Sequence, residues 1–232
     1  MAKQILKHFL FGILAGLAIG LGGFLFILSK TFIPGEYGKL IGSIVFAVGL
    51  FTVCFFGLSL YTGKIGLVFE KKQETAFYIS LPIMIIGNAI GAVSLGYLCY
   101  VIFKDTKLLE TAVGATTSRT ASFDKIESFE PFLVTLVKGI ACGLCVYFAV
   151  KSFNFGKIRH GGLFLLIFFV FIFVYFGFEH CIANMFYFSM ANMWTAGAFI
   201  NIALVILANS IGTIPGVMCL KLAQKVVNKQ EE

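Results

Sequence analysis

The sequence predicts an all-α membrane protein of six transmembrane helices, set as two inverted three-helix repeats with broken second and fifth helices. Three observations predict it. Hydrophobic residues make up 59% of the 232-residue chain and charged ones 12%, too little polar surface for a soluble fold of this size. The apolar residues fall into six long runs separated by charged or Gly/Pro-containing breaks. Three short segments of the first half recur in the same order in the second.

The runs lie near residues 9–29, 40–69, 76–103, 132–150, 161–190 and 195–220. A bilayer core about 30 Å thick takes about 20 residues of helix, and the first, third, fourth and sixth runs fit one crossing each. The first exceeds the ~7–15-residue core of a signal peptide and lacks a small-x-small cleavage site, so it counts as a span. The second and fifth are too long for one straight crossing, which predicts that they are tilted, broken or both.

The net charge of +7 does not point to nucleic acid, because the basic residues flank apolar runs instead of lining an aromatic-interleaved face. They read as topology signals. With a cytoplasmic N-terminus, the inner segments carry ten basic residues (Lys3, Lys7, Lys71, Lys72, Lys151, Lys157, Arg159, Lys221, Lys225, Lys229). The outer segments carry six (Lys30, Lys39, Lys104, Lys107, Arg119, Lys125), which favours both termini inside. The connection 104–131 also holds five acids, Asp105, Glu110, Asp124, Glu127 and Glu130, so it makes no net positive field. All six cysteines lie in apolar runs, so no disulfide framework is expected. Cys142-x-x-Cys145 has a redox spacing, but on an apolar helix two small packing residues are the simpler reading. Ligands at metal spacing are missing, and neither metal nor cofactor is expected.

The internal matches carry the topology. Ile86-Gly-Asn-Ala-Ile-Gly-Ala92 matches Leu207-Ala-Asn-Ser-Ile-Gly-Thr213 at an offset of 121. Phe56–Lys64 matches Phe176–Asn184 at 120, and Gly12–Gly16 matches Gly139–Gly143 at 127. The repeats run about 9–103 and 132–220 within a single transmembrane domain, 1–232. Each holds three spans, an odd number, so the second enters the membrane with opposite polarity. The two overlong spans are equivalent, and paired interrupted spans are where a transport site is expected. An unwound backbone is tolerated in a membrane only against protein or a water-lined cavity. Half-helices starting at such breaks would therefore aim partly positive N-termini at a common centre.

Gly177-Phe-Glu-His-Cys-Ile-Ala-Asn-Met185 closely resembles the signature of the formate/nitrite transporter family, whose fifth helix breaks at Gly-Phe-Glu-His-Ser-Ile-Ala-Asn-Met. Leu60-Tyr-Thr-Gly63 looks like the family's Leu-Phe-Thr loop in the broken second helix, and Asn201, Asn209 and Gly212 fall at the family's spacing in the last. The chain departs from the pattern with Cys181 for Ser, Lys64 after Thr-Gly, Leu204 for Pro, Gly143 for a frequent Asn, and a short 191–195 connection. The resemblance implies an aquaporin-like fold and a homopentamer in the cell membrane with one pore per protomer. It further implies traffic of small monovalent anions or their conjugate acids: formate, nitrite, hydrosulfide, acetate or lactate.

On that reading the substrate pathway takes in His180, Thr62, Asn184, Asn201, Asn209, Lys138 and Lys64. His180 can donate a hydrogen bond to an anion or exchange a proton with it; the alternative is a histidine that ties down the broken backbone. Thr62 either hands on an anion or bonds back to its own helix. Leu60, Tyr61, Phe46 and Phe173 match the family's apolar constrictions. Glu179 and Gly63 read as structural at the breaks, with Glu179 accepting from freed backbone N–H groups because an ionised carboxylate needs a partner at membrane depth. Lys138 snorkels outward or lends positive potential to a pore mouth, and Lys64 can reach the inner vestibule. Asn201, Asn209 and its repeat counterpart Asn88 read as polar cross-links. Two other classes fare worse. A channel for neutral solutes of the aquaporin type wants two Asn-Pro-Ala caps, and neither occurs. An intramembrane enzyme built on Glu179 and His180 lacks a further carboxylate or His at ligand spacing.

Overall fold

The structure, a computed structural model, describes residues 1–124, 128–154 and 159–228. Of the charged residues weighed for orientation, Lys125, Glu127, Lys157 and Lys229 lie outside the described residues. Everything described is helix, turn or connection. The helices are α1 (Ala2–Phe32), α2 (Gly35–Val45), α3 (Ala47–Phe55), α4 (Tyr61–Lys64), α5 (Gly66–Glu70) and α6 (Thr75–Phe103) in the first half. A connecting helix α7 (Lys107–Asp124) leads to α8 (Glu130–Asn154), α9 (Arg159–Tyr175), α10 (Cys181–Met190) and α11 (Ala196–Asn228).

Among the described residues, five segments are long and apolar enough to cross a membrane: α1, α2 with α3, α6, α8 and α11. Helices α9 and α10, of 17 and 10 residues, are shorter than one crossing. Helix α1 runs past both ends of its apolar run because hydropathy marks where lipid begins, whereas the helix continues into water.

Two pairs of helices form the framework, α1 with α6 and α8 with α11. Glycine makes both pairs possible. A Cβ on Gly16 would run into the Asn88 carbonyl and one on Gly91 into the Ile13 carbonyl; in the other pair Gly143 abuts the Asn209 carbonyl and Gly212 the Ile140 carbonyl. Backbones this close gain dispersion contact in a solvent where burial of apolar surface is no longer a driving force. The four positions correspond across the halves at offsets of 127 and 121.

Helix α10 threads this framework with all ten of its residues buried, packed on α6, α7 and α1. Helix α7 lies across the end of the bundle opposite the termini and packs on α11, α10 and α1. Its buried residues, Leu108, Ala112, Ala115, Thr116, Thr120 and Phe123, fall at spacings of three and four, one face of a helix. The outward faces carry Ile86, Leu98, Phe164, Phe168, Phe199 and Leu207, all exposed, a surface that suits lipid or a protein partner. All six cysteines are free.

Candidate functional site

Two interruptions create the site. Helix α3 ends at Phe55, and Gly57 (φ 61) turns the chain out of it, with Gly57 N–H donating to Cys54 O and Leu58 N–H to Val53 O. Helix α9 ends at Tyr175, and Gly177 (φ 67) does the same, donating to Val174 O while Phe178 N–H reaches Phe173 O. This is the Schellman pattern, whose left-handed residue is most readily glycine, which has no Cβ to clash. Each chain then runs extended through Leu60 or His180 before a ten-residue stretch of helix begins, α4 with α5 at Tyr61 and α10 at Cys181.

The extended residues leave backbone groups that lipid cannot satisfy, and one asparagine answers them at each place. Asn88 Oδ1 accepts from Tyr61 N–H (2.9 Å), and its Nδ2 donates to Ser59 O and Gly12 O (2.9 Å each). Asn209 Oδ1 accepts from Cys181 N–H (3.0 Å), and its Nδ2 donates to Glu179 O (2.8 Å) and Gly139 O (2.9 Å). A carboxamide offers an acceptor and two donors, and both are used in full at a fully buried position. Asn209 is thus part of the scaffold, joined to no described cavity.

His180 caps the N-terminus of α10: its Nδ1 accepts from Ala183 N–H at 3.2 Å. A backbone N–H only donates, so Nδ1 is unprotonated and the proton of the neutral ring sits on Nε2. Nε2 is 3.0 Å from Thr62 Oγ1, and both residues are almost fully buried. Nε2–H therefore donates to the Thr62 oxygen, which leaves the Thr62 hydroxyl proton available. The ring stacks on Phe173 (centroids 5.9 Å apart), which meets Phe46 edge-on at 5.7 Å.

Phe46, Phe173 and His180 line a narrow cavity of about 20 Å³ with Phe26, Tyr187 and Arg119 on the α7 side. Arg119 sets its guanidinium 5.1 Å over the Tyr187 ring, and its Nε lies 3.3 Å from Glu179 Oε2. That Nε–H is misaligned for a hydrogen bond, so the contact with Glu179 is ionic and not directional. Glu179 Oε2 also accepts from Asn184 Nδ2 (2.6 Å), which donates in turn to Asn201 Oδ1 (2.9 Å). The expectation that Glu179 accepts from backbone N–H groups is corrected here. Asn209 serves the backbone, so the carboxylate is left for Arg119 and Asn184.

On the side of the termini, a cavity of about 60 Å³ is lined by Leu60, Leu58, Cys54, Gly63 and Lys64. Gly63 and Lys64 are shared with a larger one of about 320 Å³ that opens toward α5, α8 and α11. Of the expected site residues, the structure thus gathers Thr62, His180, Asn184, Phe46 and Phe173 at the centre, with Leu60, Gly63 and Lys64 on one side. It does not bring in all of them. Lys138 is half-buried on α8 and lines none of these cavities. Tyr61 packs with Ile65, Phe77 and Met84, and its hydroxyl bonds Ser210 (2.8 Å). Gly63 sits inside α4 against Val150, and the turn is made by Gly57. Among the described residues no three His, Cys, Asp or Glu side chains gather as a metal site.

The model of the formate/nitrite transporter family matches residues 1–223. The chain belongs to this family. It is 33% identical over 214 residues, 87% of this chain and 78% of the relative, to the uncharacterized transporter YrhG of Bacillus subtilis (strain 168). It is 27% identical over 210 residues, 84% and 72% of the two chains, to the formate channel FocA of Escherichia coli (strain K12). Its fold superposes on a pentameric formate channel with formate bound at a TM-score of 0.75 and 22% identity, covering 98% of each chain. Membership in a transporter family, with several apolar helices, makes this a multi-pass membrane protein and not an enzyme.

Within the family frame, three features escaped sequence reasoning. Arg119 lies in a connection whose acids cancel its charge on paper, and only the helical phase of α7 brings it to Glu179. Gly57 carries a signal, the Phe-Gly pair it shares with Gly177, but Thr62-Gly63 drew attention instead. Asn88 was paired with Asn209 by sequence, and its backbone role becomes visible once its three partners are in place.

Proposed function

We propose that the chain is a channel or transporter for small monovalent anions or their conjugate weak acids, formate and nitrite foremost, with hydrosulfide, acetate and lactate in the same class. One observation carries this reading: Thr62 and His180, each at the start of a half-helix, touch through a single hydrogen bond between apolar walls. An anion arriving past Leu60 or past Phe46 and Phe173 sheds water, which is costly unless donors replace it. The Thr62 hydroxyl supplies one donor, and rotation of the Thr62–His180 contact exposes a second at Nε2. The N-terminal ends of the half-helices add fixed positive potential without a charge that would trap the ion. His180 is also the group through which a proton can join the anion and leave with it. Arg119 and Lys64 are the cations on the two approaches, Arg119 half-neutralised by Glu179.

The domain is a single one, residues 1–232, its halves related by an axis in the membrane plane. The identical hydrogen-bond sets of Asn88 and Asn209 and the matched glycine turns support that relation. Both termini face the cytoplasm of a cell whose plasma membrane the chain spans, and five copies assemble, as in the pentameric formate channel that the fold resembles.

The test is uptake into proteoliposomes of labelled formate, nitrite, acetate and lactate, with glycerol as a neutral comparator, at two pH values. Saturable entry of the anions without glycerol is the expected result. Glycerol entry at the rate of formate would replace this reading with a neutral-solute channel.

A further inference from the structure

The larger cavity on the termini side has a charge arrangement that the central site does not use. Among the described residues its wall carries two cations, Lys64 and Lys151, and one carboxylate, Glu70. Lys151 is spent: its Nζ donates to Glu70 Oε1 (2.8 Å) and Oε2 (2.7 Å), and Tyr147 O–H donates to the same Oε1 at 3.1 Å. The end of α5 that presents Glu70 is held in turn by Lys221 Nζ, which donates to Phe69 O (2.8 Å). Lys64 is not spent. Among the described residues its ammonium makes neither a hydrogen bond nor an ion pair, although it is half-buried where the two cavities meet. Asn154 and Gln224 complete the polar part of the wall.

We infer that this cavity is a binding site for one small monovalent anion, a carboxylate of one to three carbons, with Lys64 as its counter-charge and Glu70 as the residue that sets its specificity. The inference rests on the reading of the chain as an anion pathway. The one net positive charge of the wall's described residues is balanced by one monovalent anion. A divalent anion would leave an uncompensated negative charge facing Glu70 across a partly desolvated space, where like charges repel more strongly than in water. The volume of about 320 Å³ admits acetate or lactate as well as formate, so size does not select here and charge does. By neutralising Lys151, Glu70 keeps the cavity from becoming a dication that would hold sulfate or a dicarboxylate at the mouth.

The experiment uses the line width of ¹³C-formate with the purified full-length protein, with sodium sulfate as competitor. His180→Phe, which removes the central donor, retains saturable broadening. Adding Lys64→Met to it returns the formate line to its protein-free width, whereas adding Lys64→Arg does not. Glu70→Gln lets sulfate displace formate at a concentration lower by about tenfold than in the wild type. Persistent broadening in the monodisperse Lys64→Met double variant, or unchanged sulfate competition in Glu70→Gln, would overturn the inference. Wild-type formate flux through His180→Phe would instead refute the central-site reading and leave the Lys64 result standing.

Discussion

A single carboxamide decides whether each helix can be interrupted inside a membrane. Asn209 answers Cys181 N–H, Glu179 C=O and Gly139 C=O together, so Asn209→Leu strands three buried groups at once. At about 1 kcal/mol or more for each unmade bond, the variant should lose at least about 3 kcal/mol of stability. Thermal unfolding in detergent should show the loss, and Asn88→Leu should match it. A full wild-type midpoint in either would mean that water or a shifted backbone replaces the amide. His180 and Thr62 were singled out by the motifs that resemble the family's, Gly177–Met185 and Leu60–Gly63, each inside a run too long for one crossing. Arg119 was not, since net charge counted along a connection says nothing about which side of a helix a cation occupies. The partner of Glu179 was missed for the related reason that two acceptors, a carboxylate and an asparagine, compete for the same backbone donor.

Glycine serves this fold in two physically different ways. Gly177 holds φ 67 with nothing within 4 Å of a would-be Cβ, so a side chain there is opposed by the backbone alone. Gly177→Asn should therefore cost little, because Asn tolerates the left-handed region, and Gly177→Val should cost about 1–2 kcal/mol or more. Gly143 is the reverse case: its conformation is ordinary, but the Asn209 carbonyl occupies the place of its Cβ. Gly143→Asn, which restores a residue frequent in the family, should push α8 from α11 and lower stability more than Gly177→Asn. Equal, small losses would show that the α8–α11 contact is looser than described. That the second and fifth spans could not each be one straight crossing followed from their length alone. Where the first one turns did not, since Gly57 and Gly63 are both plausible glycines until the left-handed φ of Gly57 is seen.

The whole molecule leaves large apolar side chains exposed around its perimeter, among them Leu14, Leu21, Phe56, Ile86, Phe164 and Phe168. Some of that surface meets lipid and some meets neighbouring protomers in the proposed pentamer. Cross-linking and native mass measurement in mild detergent should give a discrete five-chain species; a monodisperse monomer with full transport would exclude it. The membrane class was readable from composition because a chain with 59% hydrophobic residues has no soluble solution, whereas the central site depends on Phe46 between α2 and α3, Thr62 of α4, Arg119 of α7, Phe173 of α9 and His180 before α10 meeting across the fold. The central claim is that one imidazole between the half-helices passes both the anion and its proton. Formate uptake into proteoliposomes by His180→Asn, read across pH beside the wild type, tests it most directly. The account predicts that His180→Asn, which keeps a donor and loses the exchangeable proton, retains flux but loses the pH dependence of the wild type. A wild-type rate and pH profile in His180→Asn would contradict it.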